Sequence, residues 1–305
     1  MNNFNVLILG SSAAVPTTSR ACSSQLVNCN NRYLLIDCGE GTQIQLRKFN
    51  APFQRINHIL ISHLHGDHFY GLPGLLGTMS LLGRTSGIKI YGPPALLDIL
   101  MVMFKASDTK LNFNFSFTAL EMKTKDIVFE DDGMRISAFP LKHRIKTFGF
   151  QIEEKFQRYK INKQAILESK LTNEHFKLLT QGKDFQRLDG SWVKYVDYTL
   201  PMPTPRIYSY CSDTKPFPNQ SGFLKGTSTL YHEATFLNDR KERAEQTFHS
   251  TAKDAALMAL SCGARKLLLG HFSSRYVDTL GHTNEAQEIF KDVEAVKDGE
   301  IYEVK

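Results

Sequence analysis

The stretch Ser62-His63-Leu64-His65-Gly66-Asp67-His68 places three imidazoles and a carboxylate within the six residues 63–68, directly after an apolar run that reads as a strand. Imidazole nitrogens and carboxylate oxygens suit Zn²⁺, and ligands that converge from a loop at a strand end need no helical spacing to share an ion. Gly66 lets that loop turn tightly. The bland alternative, a polar surface loop that happens to be rich in histidine, fits H-x-H-x-D-H poorly. The cluster by itself holds too few ligands for two ions. Further candidates follow other apolar, strand-like runs: His143 after Ile136 to Leu141, Asp213 after Ile207 to Tyr210, and His271 after Lys266 to Gly270. Singly each is a weak signal, because a lone histidine at a strand end is more often a hydrogen-bonded structural residue.

The elements that must position these groups alternate. Strand-like runs at Phe4 to Leu9, Tyr33 to Asp37, His58 to Ser62 and Ile88 to Tyr91 are interleaved with helical candidates at Thr42 to Phe49, Leu72 to Leu82 and Ala95 to Phe104. After a polar interval the pattern resumes, with a strand at Leu230 to His232, a helix at Ala252 to Ser261, a strand at Lys266 to Leu269 and a helix at Asn284 to Val293. This is a layered α/β pattern. The interval from Phe156 to Leu200 is weakly periodic, rich in Lys, Gln and Asn, and closed by Pro201, Pro203 and Pro205, as an inserted arm would be.

Composition is that of a folded, water-soluble protein: 42% hydrophobic and 22% charged over 305 residues. The apolar run at the amino terminus lacks a cationic lead and is too short for a secretory core or a membrane span, so a cytoplasmic protein without membrane attachment is expected. The five cysteines form no C-x-x-C pair, against both a disulfide framework and a thiolate zinc site. The net charge of +6 is unevenly spread. Lys155 to Lys194 carries nine basic residues against four acidic ones, a net +5, which suits contact with a polyanion.

The order H-x-H-x-D-H, then His, Asp and His, resembles the dinuclear members of the metallo-β-lactamase fold over nearly the whole chain. The resemblance implies an α/β protein, a four-layer αββα sandwich with one catalytic domain over residues 1–305 and an inserted arm at 152–205. It further implies two Zn²⁺ per chain: His63, His65 and His143 would hold one, Asp67, His68 and His271 the other, and Asp213 would bridge them. Such a scaffold hosts lactam, thioester, sulfate and phosphodiester hydrolysis, so the fold does not fix the reaction. Additional motifs narrow it: Asp37-Cys38-Gly39-Glu40-Gly41-Thr42-Gln43, Gly71-Leu72-Pro73-Gly74-Leu75, His232-Glu233-Ala234-Thr235 and His249-Ser250-Thr251. In this order they resemble the ribonuclease Z family. The implied activity is a zinc-dependent endoribonuclease that cleaves the 3′ extension of tRNA precursors and leaves a tRNA 3′-hydroxyl. A cytoplasmic homodimer is implied as well.

Phosphodiester hydrolysis needs a nucleophile, neutralisation of charge at phosphate and a proton for the departing oxygen, and a paired metal site supplies the first two. Asp67 is expected to orient or deprotonate the attacking water. By resemblance His249 is the proton donor, with Glu233 orienting its imidazole. Ser250 or Thr251 also suits a helix cap. Arg20, in Pro16-Thr17-Thr18-Ser19-Arg20-Ala21, is expected to hold a phosphate or base near the cut, although Ala21 stands where the family has asparagine. Lys155, Arg158, Lys160 and Lys163 are the candidate tRNA contacts of the arm, which lacks the Gly-Pro-rich turn of bacterial relatives. His58, His175 and His282 match no motif. The rival readings are a hydrolase of small phosphodiesters on the same scaffold and an RNA-binding protein with an idle metal site.

Overall fold

In chain order the strands are β1 (Phe4–Gly10), β2 (Ser24–Cys29), β3 (Arg32–Cys38), β4 (Ile56–Leu60), β5 (Ile88–Gly92), β6 (Phe115–Ala119), β7 (Asp126–Glu130), β8 (Met134–Leu141), β9 (Thr147–Glu154), β10 (Ile207–Cys211), β11 (Thr229–Glu233), β12 (Lys266–Gly270), β13 (Val293–Ala295) and β14 (Ile301–Glu303). The computed structural model describes residues 3–156, 158–167 and 171–305. Two seven-stranded sheets form, ordered β14-β1-β2-β3-β4-β5-β6 and β13-β12-β11-β10-β9-β8-β7. The chain divides into two compact units, the first comprising Met1–Glu130, Arg135–Glu153 and Arg206–Lys305, the second Asp131–Met134 and Glu154–Pro205.

Both sheets lie in the first unit but for Met134 and Glu154, and the near-continuous apolar runs of strands such as β1, β4 and β12 follow from burial on both faces. On one face of the first sheet, Leu7, Leu9, Leu35, Ile59 and Ile90 pack with Leu46, Leu72, Leu75, Leu76, Met79, Leu96 and Leu100 from the helices Thr42–Lys48, Leu72–Leu81 and Ala95–Ala106. The alternate residues Val6, Ile8, Leu34, Ile36 and Leu60 are just as buried. They turn to the second sheet, whose Tyr208 and Tyr210 on β10 donate to Gln25 and Asp37 of the first. Helices Ala252–Cys262 and Leu280–Gln287 cover the far side, against β11, β12 and β13. The layering is therefore αββα.

Strands β3, β4 and β5 run parallel, as do β10, β11, β12 and β13. Parallel neighbours deliver their carboxyl ends to one rim, where ligands of open α/β sheets gather. One expected element is corrected. Residues 284–293 are not one helix: the helix spans Leu280–Gln287, and Val293 begins β13 in register with Leu267. Pairing with the sheet edge and burial of Val293 win over helical periodicity there.

The second unit has its own elements. Helix Asn173–Thr180 begins with a reciprocal cap in which His175 N donates to Thr172 Oγ1 and Thr172 N donates to His175 Nδ1. The other face of His175 stacks on Phe185, with ring centroids 4.3 Å apart. Short antiparallel pairs join Lys160–Ile161 to Thr199–Leu200 and Phe185–Gln186 to Trp192–Val193, and Leu179 and Val193 are buried.

Candidate active site

The histidine cluster leaves the end of β4, and the short helix Gly66–Phe69 carries Asp67 and His68. Three other residues at strand ends adopt left-handed backbone: Asp37 (φ 58°), Asp213 (φ 51°) and His271 (φ 56°). Such a conformation costs roughly 1–3 kcal/mol for a residue with a side chain and persists where the surroundings enforce it. Here it turns each side chain off its strand and into the rim. The glycine motif serves the same place: a Cβ on Gly39 would stand 2.3 Å from the Asp67 carbonyl oxygen, and one on Gly71 would stand 2.2 Å from Gly39 O. Only glycine permits these backbones to touch.

The seven candidate ligands meet in two groups. His63 Nε2 lies 2.9 Å from His65 Nδ1, and His143 Nε2 lies 3.2 Å from the same nitrogen. Asp213 Oδ2 completes this group, 3.6 Å from His63 and 3.5 Å from His143. The other oxygen of Asp213, Oδ1, is 3.0 Å from both His68 Nε2 and His271 Nε2. Asp67 Oδ2 joins that second group, 3.4 Å from His68 and 3.6 Å from His271. Donors about 2.0–2.1 Å from a tetrahedral ion are about 3.3 Å from one another, so these spacings fit metal coordination. One carboxylate facing both groups fits a bridge.

Electrostatics agree with a cation site. Burial lowers the pKa of His63, His65 and His143, leaving neutral nitrogens with lone pairs to donate. Burial also opposes a charged His68, yet Asp213, Asp67 and Asp37 outweigh it and hold that ring's pKa well above its ordinary value. Positive charge is favoured where His68 points.

Around the donors, further groups fix ring orientation, as metal-binding imidazoles require. His68 Nδ1 donates to Asp37 Oδ2 at 2.7 Å, and Asp37 also accepts from Ser62 N, Ser62 Oγ and Tyr210 OH. His143 Nδ1 donates to Phe248 O at 3.0 Å. Thr235 Oγ1 is 3.0 Å from His271 Nδ1 and donates to Glu233 Oε2 at 2.6 Å. The Ala14 amide donates to Asp67 Oδ2 at 2.8 Å.

His249 stands beside the donors with Nδ1 2.9 Å from Glu233 Oε1. Burial would lower the pKa of His249, but the charge and hydrogen bond of Glu233 prevail and raise it to about 9. Glu233 is wholly buried and is held by the amides of Thr214 and Ser250 as well. Thr251 caps helix Ala252–Cys262 in a reciprocal pair with Asp254. Within this motif Thr251 caps the helix while His249 faces the cleft. The donors open into a cleft of about 490 Å³ whose walls include His65, Asp67, His143, Asp213, His249 and His271.

Residues 4–185 match the sequence model of a family described as Anti-Pycsar protein Apyc1. That match ends before Asp213, Glu233, His249 and His271. Ribonuclease Z of Porphyromonas gingivalis (strain ATCC BAA-308 / W83) is 39% identical over 291 residues, covering 95% of this chain and 96% of that protein. The chain belongs to the ribonuclease Z family. Through residues 4–185 it falls also within the family that the Apyc1 model describes. The crystal structure of human tRNase Z, short form, superposes with a TM-score of 0.73 at 28% identity, covering 99% of each chain. The metallo-β-lactamase fold protein YhfI from Bacillus subtilis shares the fold, with a TM-score of 0.70 at 18% identity over 99% of this chain and 100% of that one.

As a member of the ribonuclease Z family the chain departs from expectation at Arg20. Its guanidinium is buried, donating to Tyr276 O at 2.5 Å and lying 5.9 Å from the centre of the Phe272 ring. It does not line the cleft; Arg144, Arg243 and Arg275 do. Sequence reasoning missed these three because each arginine sits in an ordinary polar context. Asp37 was visible in its motif without its role as the acceptor for His68. Lys155, Arg158, Lys160 and Lys163 lie in the second unit, where Lys155 Nζ donates to Asp131 O and the other three are exposed.

Proposed function

We propose that this member of the ribonuclease Z family is a zinc-dependent endoribonuclease that removes the 3′ extension of tRNA precursors and leaves a 3′-hydroxyl, with two Zn²⁺ per chain. The observation that carries the reading is the position of Asp213, one oxygen toward His63 and His143 and the other toward His68 and His271. When bound, the ions activate water and neutralise charge at the phosphate. His63, His65 and His143 would hold one ion and Asp67, His68 and His271 the other, with Asp213 shared. Asp67 orients or deprotonates the attacking water, its Oδ2 fixed by the Ala14 amide. His249 gives a proton to the departing 3′ oxygen, and the buried Glu233 keeps the ring charged and aimed.

The exposed Arg158, Lys160 and Lys163 support a role for residues 152–205 in holding the body of tRNA through its phosphates. A homodimer is supported by the exposed Leu81, Leu82, Met101, Val102 and Met103 of the first unit, an apolar set that a second copy would cover. No helix among the described residues is long and apolar enough to cross a membrane, and we place the enzyme in the cytoplasm. The deciding experiment incubates purified protein with a 3′-extended tRNA precursor and maps both product ends. A tRNA 3′-hydroxyl and a trailer 5′-phosphate are expected; an uncut precursor under conditions that hydrolyse a small phosphodiester would assign the site to small substrates.

A further inference from the structure

We propose that Arg144 and Arg243 form a subsite for the phosphate that joins the last two nucleotides of the mature tRNA, immediately upstream of the bond that is cut. The inference rests on the tRNA-processing reading above and adds the polarity of the RNA in the cleft. Both arginines line the cleft and are exposed, and neither engages a carboxylate among the described residues. Arg135, by contrast, is paired with Glu130 and Glu153, Arg84 donates to the carbonyls of Gln54, Ser86 and Gly87, and Arg275, the third arginine of the cleft, lies over the Phe236 ring, 5.4 Å from its centre. Two permanent positive charges on one wall of a cleft, without counter-ions, attract an anion, and a guanidinium matches phosphate with paired hydrogen bonds.

The wall is identified by its construction. His143 Nδ1 donates to Phe248 O at 3.0 Å, so the segment that bears Arg144 is tied to the turn that delivers His249. Phe248 makes that turn in left-handed backbone, φ 60°, at the end of helix Lys241–Thr247. Arg243 and Thr247 are one helical turn apart on that helix, and both face the cleft. Arg144, Arg243 and His249 therefore belong to one side of the site.

Chemistry then gives the direction. In the proposed reaction water oxygen bonds to phosphorus, the bond from phosphorus to the 3′ oxygen breaks, and His249 supplies the proton that turns this oxygen into a hydroxyl. The leaving oxygen belongs to the last nucleotide of the mature tRNA, so that nucleotide stands on the His249 wall, and its own 5′ phosphate is the next anion along the same wall.

The test is a cycle between protein and substrate charge. Precursor tRNAs are prepared with a single uncharged methylphosphonate, either at this phosphate or at the first phosphate inside the trailer, and kcat/KM is compared for the unchanged protein, Arg144→Gln and Arg243→Gln. With ordinary precursor each variant should lose about tenfold or more, the scale of a charge-assisted contact. The loss should vanish when the proposed phosphate is neutral and persist when the trailer phosphate is neutral. The subsite is overturned if neither variant loses rate, if the loss persists in full on the neutral phosphate, or if it vanishes only with the trailer substitution. Failure of the unchanged protein to cut ordinary precursor would overturn the underlying reading instead.

Discussion

Asp37 accepts a hydrogen bond from His68 Nδ1 at 2.7 Å, and both side chains are completely buried. The bond fixes which nitrogen of His68 faces Asp67, Asp213 and His271. Replacing Asp37 by Asn keeps the shape, and Asn tolerates the left-handed backbone. It removes the charge that orients the ring and raises its basicity. Asp37→Asn should therefore weaken binding of one of two zinc ions by about 10–100-fold. Stepwise titration of metal-free protein with zinc, followed calorimetrically, checks this; two unaltered binding steps would free His68 from dependence on Asp37.

How much of this was legible in the sequence depends on whether a residue's partners are local. The H-x-H-x-D-H cluster was legible because one short loop holds it. His143, Asp213 and His271 could be singled out since each ends an apolar strand, and the parallel strands deliver two of them to the same rim. Gln25, and the role of Asp37, were opaque. Their partners, Tyr208 and Tyr210, lie on the other sheet, 183 and 173 residues away in sequence. Strand β2 was missed for a related reason: its polar Ser24, Gln25 and Asn28 are buried and bonded internally, which hides the apolar pattern of a covered strand. Arg20 sits in a family motif, but the fold turns its guanidinium toward Tyr276.

The dyad predicts a pH effect. As the proposed proton donor His249 would act only while charged, and Glu233 raises its pKa to about 9 against the effect of burial. The rate should stay high below that value and fall as pH rises through it. Glu233→Gln removes the stabilising charge, lowers the pKa of His249 and should move the alkaline limb of kcat to lower pH. A limb that does not move would place the controlling ionisation elsewhere. His249→Ala should slow the chemical step while leaving metal content and RNA affinity near those of the unchanged protein; loss of metal in that variant would make His249 a ligand.

The paired donor groups predict metal stoichiometry. Elemental analysis of fully active protein should return close to two transition-metal ions per chain, and dialysis against a chelator should abolish cleavage until zinc is restored. If the ions bind only the folded chain, zinc should also raise its melting temperature. Asp67→Ala should nearly abolish turnover in a folded protein, since it removes both a candidate ligand and the group proposed to handle the attacking water. One ion per chain at full activity would contradict the dinuclear reading.

The Glu154–Pro205 segment of the second unit can be removed without stretching the first. Glu153 of β9 and Ile207 of β10 are directly paired across antiparallel strands, so a short Gly/Ser turn in place of the intervening residues closes an ordinary hairpin. Loop closure over so short a span costs little. What is lost is charge: residues 154–206 hold ten basic and six acidic side chains, a net +4 out of the chain's +6. Each phosphate contact released from a protein lowers the dependence of log affinity on log salt by about 0.7–0.9. If the arm holds the tRNA body through phosphates, the shortened protein should bind precursor tRNA more weakly and with a flatter salt dependence, while hydrolysis of a small phosphodiester survives because the donors and the His249–Glu233 pair all lie in the retained unit. Binding isotherms between low and physiological salt measure both quantities. Affinity and salt slope equal to those of the intact chain would remove residues 152–205 from tRNA recognition and move the search to the arginines of the cleft.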